Sequence, residues 1–226
     1  MSARKLVVLF IVFMLVLVVV KVPVALIVDK LPLPAGMAYQ GLTGTVWQGH
    51  INRLQLNNNW LLQDVHWSFN PAKLFTGKLG FDVKFGQARN KQQLSGKALL
   101  LAGFSGIGLE KATLRSPAEP LRQLMPIPVM HLGGRFILEL DNYLYGEKLC
   151  KELTGELVWT RSEINFQGPV ELGTISSMLN CEQGAVVASF DGNNLLGLEG
   201  SAKVESASKF NFDGYLKPDA SLPSAL

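Results

Sequence analysis

The sequence predicts a mainly β fold, with a single N-terminal transmembrane helix followed by a curved, mostly antiparallel β-sheet domain and a few short helices. Three observations support this fold class. The first 28 residues are dominated by one apolar run, and the remainder contains many short segments in which apolar and polar residues alternate. Glycine, a common turn residue, accounts for 22 of the 226 residues. Alternation with a period of two is typical of strands that bury one face.

These patterns divide the chain into five parts. Residues 1–5 form a short cytoplasmic N-terminus, 6–28 a transmembrane anchor, 29–40 an extended linker, 41–216 the β-rich domain, and 217–226 a flexible tail. Roughly 195 residues remain after the anchor, which is enough chain to bury a sizeable core.

The anchor is predicted from an apolar run that starts directly after Arg4 and Lys5 and continues to Val28, interrupted by Lys21. At about 1.5 Å per residue, residues 6–28 would reach about 35 Å, which exceeds a hydrocarbon core of about 30 Å. Lys21 lies near the outer end, where its long side chain can reach the headgroups. The two leading basic residues keep the N-terminus in the cytoplasm, so the β-rich domain faces outward. The alternative is a cleaved signal peptide, but Lys21, Val22 and Pro23 fit a small-residue cleavage site poorly.

The alternating segments locate the strands. We expect them at residues 61–69, 79–85, 136–140, 157–159, 164–166, 186–190, 196–204 and 210–216. Gly, Asn and Asp between the segments are typical of hairpin turns. Short helices are expected at 70–75, 119–125 and 173–180, the first because Asn70 and Pro71 are favoured at a helix start.

The two cysteines, Cys150 and Cys181, both lie in the outward-facing part of the chain. In an oxidising compartment such a lone pair is expected to form a disulfide. A zinc site is disfavoured because the two residues lack the close paired spacing of metal-binding cysteines.

Composition and motifs argue against several functions. Lys and Arg number 21 against 18 acidic residues, and no basic cluster marks a nucleic-acid surface. The three histidines lack metal-site spacing, and Gly96-Lys97 lacks the remaining residues of a phosphate-binding loop. We therefore predict no enzyme activity, no catalytic or metal-binding residues, no cofactor and no nucleic-acid partner.

Two groups of residues remain as candidates for binding. Gly44, Trp47 and Gly49 form a possible interaction motif, in which Trp47 sits between glycines that let the backbone bend around it. The second group comprises apolar residues on strand faces, which belong either to an ordinary core or to a groove for acyl chains. Its members are Phe81, Phe85, Leu138, Leu157 and Phe166.

Three segments carry a resemblance to a known family. They are GLTGTVWQG at 41–49, WSFNPAKLFTGKL at 67–79, and LTGELVW at 153–159 preceded by Cys150. With the basic start and single apolar helix, the sequence resembles the type II secretion system protein N family of Gram-negative bacteria. The resemblance implies a single-pass inner-membrane protein with a periplasmic domain that assists export of folded proteins across the outer membrane. It implies other secretion-system components as partners, and no catalytic residues.

The chain also resembles, more distantly, the AsmA-like envelope proteins, which combine an N-terminal anchor with a curved sheet suited to acyl chains. Two hypotheses follow. The preferred one is a non-enzymatic secretion component that acts through periplasmic protein–protein contacts. The alternative is a lipid-handling protein with a lipid ligand in an apolar groove. A groove open to solvent favours the second hypothesis, and a closed core favours the first.

Overall fold

The computed structural model describes residues 3–28, 30, 36–57, 60–87, 90, 92–124, 131–165, 168–206 and 209–222. Helix α1 spans Ala3–Lys21 and helix α2 spans Ala25–Val28. Two short 3₁₀ helices span Pro71–Thr76 and Glu119–Leu124. The strands are β1 Ala38–Gly44, β2 Gln48–Asn57, β3 Trp60–Asn70, β4 Lys78–Phe85, β5 Ser95–Gly103, β6 Gly106–Pro117, β7 His131–Leu144, β8 Glu152–Asn165, β9 Pro169–Glu182, β10 Ala185–Asp191, β11 Glu199–Ser206 and β12 Lys209–Tyr215.

The twelve strands form one open sheet whose spatial order is the chain order, β1 to β12. Every neighbouring pair is antiparallel. This confirms the predicted mainly β fold with an antiparallel sheet and few short helices. Register shifts interrupt several ladders, for example between Leu140 and Asn142, and such bulges bend and twist a sheet locally.

Helix α1 ends where the sequence stops favouring a helix. Its residues contain neither Gly nor Pro, and Lys21 in its last turn suits the negative end of the helix dipole. Val22 follows and precedes Pro23, and the residue before a proline is pushed out of helical geometry. The helix therefore ends seven residues before Val28, the predicted end of the anchor. No helix among the described residues is both long enough and apolar enough to cross a membrane.

Direct cross-strand pairing gives the sheet two chemically different faces. One row, on the apolar face, runs through Phe85, Gly96, Leu114, Leu138 and Leu157. On the polar face a row runs through His50, His66, Lys84, Lys97, Thr113, Glu139 and Glu156. Because each strand alternates its side chains, this pairing keeps the two sets apart across the sheet.

The best-packed part of the apolar face lies on β7 to β10. Leu132 and Leu172 are fully buried there beside Trp159, which stacks on Phe136 with 5.1 Å between ring centroids. Loop 192–198 and Leu222 contribute side chains to this cluster. Residues 217–222, expected within a flexible tail, reach it because Lys217 N–H donates to Leu196 O at 3.1 Å.

One predicted element is wrong. Residues 173–180, expected to form a short helix, belong to strand β9. Ile175, Ser177 and Leu179 are buried on one side of that strand, opposite partners in β8. Cross-strand pairing therefore overrides the weak local helical preference of this segment.

Glu119 fastens the second 3₁₀ helix to the start of β7. Its carboxylate accepts the Leu132 N–H at 2.9 Å, Arg122 Nε at 2.9 Å and His131 Nδ1 at 2.9 Å. The backbone hydrogen bond from Leu132 is the main reason that the pKa of Glu119 lies below the usual 4.5.

We expect Glu119→Gln to lower the free energy of unfolding near neutral pH by less than about 1 kcal/mol, since the carboxylate is well exposed. A depressed pKa contributes stability above the unfolded-state pKa, and this is lost as pH falls through the folded-state value. The difference between wild type and variant should therefore shrink as pH drops from 5 to about 3, in urea unfolding measured across that range. A difference that stays constant across this range contradicts the assignment.

Candidate functional site

The end of α1 is joined to the sheet at a helix–sheet junction, which we define as residues 19–24 together with the turn 44–49. Val24 N–H donates to Gly44 O at 3.2 Å, and Val46 N–H donates to Val22 O at 3.2 Å. Pro23 and Thr45 form an antiparallel bridge between these two bonds. Residues 22–24 thus lie as a short extended segment against the β1–β2 turn.

Trp47 reaches from this turn to the helix. Its indole Nε1–H donates to Val19 O at 2.8 Å, one of the last carbonyls of α1, which have no partner within the helix. The ring meets Phe69 edge-on with centroids 5.0 Å apart, and the Phe69 N–H donates to Trp47 O at 2.6 Å. Trp47 therefore connects α1, the β1–β2 turn and the end of β3.

The two glycines of the motif are required by close contacts. Gly44 has φ +102°, a conformation that L side chains rarely adopt, and a Cβ there would lie 2.5 Å from Gln48 O. A Cβ on Gly49 would lie 2.1 Å from the Trp67 ring, whose indole N–H donates to Val46 O at 3.1 Å. The structure thus brings Gly44, Trp47 and Gly49 together in one turn, where each has an internal structural role.

Trp47→Phe should loosen the junction while keeping an aromatic ring beside Phe69. Loss of one hydrogen bond is worth about 1 kcal/mol, so amide hydrogen exchange at Val24 and Val46 should accelerate about fivefold. Hydrogen–deuterium exchange of the full chain in detergent would measure this. Trp60→Phe, in β3 and outside the junction, is the control and should leave both amides unchanged. Equal protection in wild type and the Trp47 variant would contradict this role.

Four of the five predicted lipid-facing residues lie on the apolar face. Phe81 and Phe85 come from β4, and Leu138 and Leu157 are directly opposed in β7 and β8. All four are half-buried. The fifth, Phe166, lies outside the described residues.

These four residues fall into two local environments. Leu138 and Leu157 pack against a buried cluster of Cys150, Leu153 and Leu179. Phe81 instead contacts the Phe69 ring at 5.5 Å between centroids, towards the helix–sheet junction. Because the described strands form one layer, no second sheet among them covers this part of the apolar face. Its residues are half-buried, so the face is neither a closed core nor fully exposed.

The predicted disulfide is confirmed. Cys150, just before β8, is bonded to Cys181 in β9, with 6.0 Å between their Cα atoms. Cys150 is only 2% exposed, so the bond lies inside the cluster that Leu138 and Leu157 cover.

The polar face carries one further group that no sequence motif marks. His50 and His66 are cross-strand partners whose rings stack at 4.2 Å, and Asp64 lies 3.7 Å from His50 Nε2. Sequence alternation puts His66 on the polar face but does not give its partner, which depends on the β2–β3 register. Among the described residues, no three His, Cys, Asp or Glu side chains are grouped to hold a metal.

Comparison with known proteins identifies one family. The family model described as "Type II secretion system (T2SS), protein N" matches residues 35–226. The chain is 28% identical to Type II secretion system protein N of Vibrio cholerae serotype O1, with 92% of this chain and 83% of the relative covered. It is 28% identical to the Aeromonas hydrophila protein of the same name, with 96% and 87% covered.

A third relative, Type II secretion system protein N of Pectobacterium carotovorum subsp. carotovorum, is 26% identical over 89% of this chain and 79% of its own length. No solved structure matches the chain. The resemblance seen in the sequence is therefore confirmed by a match over most of the residues: this chain belongs to the type II secretion system protein N family.

Proposed function

We propose that this chain is a non-enzymatic, inner-membrane accessory component of the type II secretion system. Its β-domain lies in the periplasm and assists export of folded proteins by contacting other components of the machinery. Family membership supports the secretion role. The observation that carries the proposed mode of action is the open sheet.

An open sheet offers two edges to partners. In the described part of the chain, β1 and β12 each pair with one neighbouring strand only. A strand edge presents unpaired N–H and C=O groups, and an extended segment of another protein can bind there by adding a strand. Edge β1 runs directly into the helix–sheet junction, so a partner bound there would lie close to the membrane.

The membrane assignment is supported by the surface of α1. Its apolar side chains are exposed on all sides, for example Phe10 at 60% and Leu15 at 59%. Nineteen residues at about 1.5 Å each give about 28 Å, slightly less than the roughly 30 Å hydrocarbon core. Arg4 and Lys5 at the start of the helix would lie on the cytoplasmic side, and the helix–sheet junction would lie at its periplasmic end.

Site-specific photo-cross-linking in a host with an intact secretion system tests the proposal. A photoreactive amino acid at exposed Gln40 of β1 should cross-link to another secretion component. The same group at Lys84, which is also exposed but lies on the face of the internal strand β4, is the matched control. Equal cross-linking at both positions, or none at Gln40, would argue against strand addition at β1.

A second candidate function is favoured by the half-buried apolar face. A single-layered sheet with this face partly open could hold acyl chains near the bilayer. Protein purified gently from its membrane would then carry lipid in a fixed ratio, detected by mass spectrometry, and Phe81→Asp would abolish it. Lys84→Asp, on the opposite face of the same strand, is the control. Absence of retained lipid in wild type would exclude this candidate.

A further inference from the structure

The last strand, β12, is the most exposed strand of the sheet. All seven residues from Lys209 to Tyr215 are exposed, whereas most strands alternate exposed and more buried positions. Its inner edge pairs with β11, and no described residue pairs with its outer edge. The following chain turns away, because Asp219 N–H donates to Leu195 O at 2.9 Å. Residues 217–222 are thus directed to loop 192–198 and not along the open edge.

This edge is apolar as well as open. Phe210 is 62% exposed, Phe212 49% and Tyr215 57%. Phe212 lies opposite Ala202, and the row continues through Ala188 to Leu179 on the apolar face. Phe210 and Phe212 therefore extend that face to the limit of the sheet, whereas Tyr215 alternates onto the opposite face, where its hydroxyl donates to Glu199. Proteins normally protect an edge with prolines, bulges or charges. The β11–β12 pairing has one register shift, between Val204 and Ser206, and β12 itself has no proline and carries one charge of each sign.

The order of these two charges is self-complementary. Lys209 and Asp213 lie symmetrically about Asn211 in the sequence. Two identical strands that pair antiparallel about a two-fold axis place residues symmetric about the central residue opposite each other. With Asn211 at the centre, Lys209 of each copy would face Asp213 of the other, and Phe210 would face Phe212.

We propose that β12 is the interface with a second copy of this chain. The two strands pair antiparallel in the register centred on Asn211, giving two Lys–Asp pairs on the polar face and two Phe–Phe pairs on the apolar face. Opposite charges and aromatic pairs are the cross-strand contacts that stabilise antiparallel ladders. The interface joins two sheets through their last strands and continues the apolar face from one copy to the next.

Neighbouring registers lose the charge pairing. If the axis moves to Phe212, Lys209 faces Tyr215 and Asp213 faces Asn211. If the axis moves to Phe210, Lys209 faces Asn211 and Asp213 faces residue 207. Of these three registers, only the one centred on Asn211 pairs both charges, so the charge pattern favours a second copy bound in this register. The β1 edge stays available for the secretion components proposed above, so the two proposals stand or fall separately.

Charge reversal tests the pairing in the full-length protein in detergent, with the dissociation constant measured by analytical ultracentrifugation. Lys209→Asp and Asp213→Lys should each weaken the dimer about tenfold or more, because each creates two like-charge pairs. Asp213→Lys is the cleaner variant, since Lys209 also forms an ion pair with Glu205 of its own copy. The double variant restores opposite charges and should recover most of the wild-type affinity. Lys84→Asp, remote from β12, is the control for a general change of surface charge and should have no effect.

Cysteine cross-linking tests the register. Asn211→Cys places two cysteines opposite each other, with Cα atoms about 4.5–5.5 Å apart, within the range of a disulfide. It should form a covalent dimer on mild oxidation. Lys209→Cys should not, because in this register its two copies lie four residues apart along the strands. The proposal would be overturned if the wild type were monomeric, or if the single charge variants dimerised like the wild type. It would also be overturned by cross-linking at 209 but not at 211, or by capture of a different protein by the Asn211→Cys variant in cells.

Discussion

Replacing both Cys150 and Cys181 by serine is expected to lower the free energy of unfolding by about 3–4 kcal/mol. The disulfide closes a loop with a sequence separation of 31 residues, and loop-closure entropy in the unfolded chain gives roughly this value. Removing it also places two polar hydroxyls at a site where Cys150 is only 2% exposed and packs beside Leu153 and Leu179. Serine there adds a desolvation cost to the lost constraint.

Urea unfolding of full-length protein, followed by tryptophan fluorescence, would measure this effect. Trp159 is a suitable reporter because it is buried in the core on β8, the strand that follows Cys150. Reductant should destabilise the wild type by a similar amount and leave the double serine variant unchanged. If reduction has no effect on the wild type, the disulfide does not contribute to stability.

Gly49→Ala is expected to destabilise the β-domain by about 2–3 kcal/mol, which is typical of overpacking. The added methyl would lie 2.1 Å from the Trp67 ring and 2.6 Å from Thr43 O. The ring can turn away only by giving up its 3.1 Å hydrogen bond to Val46 O. The contact between the new methyl group and Thr43 O can be relieved only by moving β1 relative to β2. We therefore expect the substitution to distort the helix–sheet junction as well.

Gly168→Ala is a matched control for this substitution. A Cβ at Gly168 would meet no atom of the described residues within 4 Å, and its backbone lies outside the left-handed region. The change should therefore be neutral or slightly stabilising, because alanine restricts the unfolded chain. Thermal unfolding of the two variants side by side separates steric overlap from the general effect of replacing glycine. Similar melting temperatures for both would show that Gly49 has no special role.

Strand identity and face were predictable because period-two alternation depends only on local sequence. Residues 79–85 illustrate this, since the predicted alternation agrees with the register of β4 against β5. The antiparallel arrangement followed from the short turns between strands. The end of α1 is also marked in the sequence, because Pro23 disfavours a helical residue before it. The predicted anchor nevertheless continues to Val28, seven residues beyond the end of α1.

Contacts between distant residues were not predictable in this way. The Trp47 indole bonds to Val19, 28 residues away, and no local pattern encodes that partner. The segment 173–180 shows the same limit. Ile175 faces Trp159 in β8, and pairings of this kind decide that the segment is a strand. The role of Gly49 likewise depends on Trp67 lying directly opposite.

Because the spatial order of the strands is the order of the chain, each strand pairs only with segments that immediately precede or follow it. A chain that emerges N-terminus first can therefore add strands one at a time, without waiting for a distant segment to return. Such local pairing favours rapid folding. At every stage the newest strand has one unpaired edge, and β12 is the last described strand to be added. The domain is thus suited to vectorial, stepwise assembly.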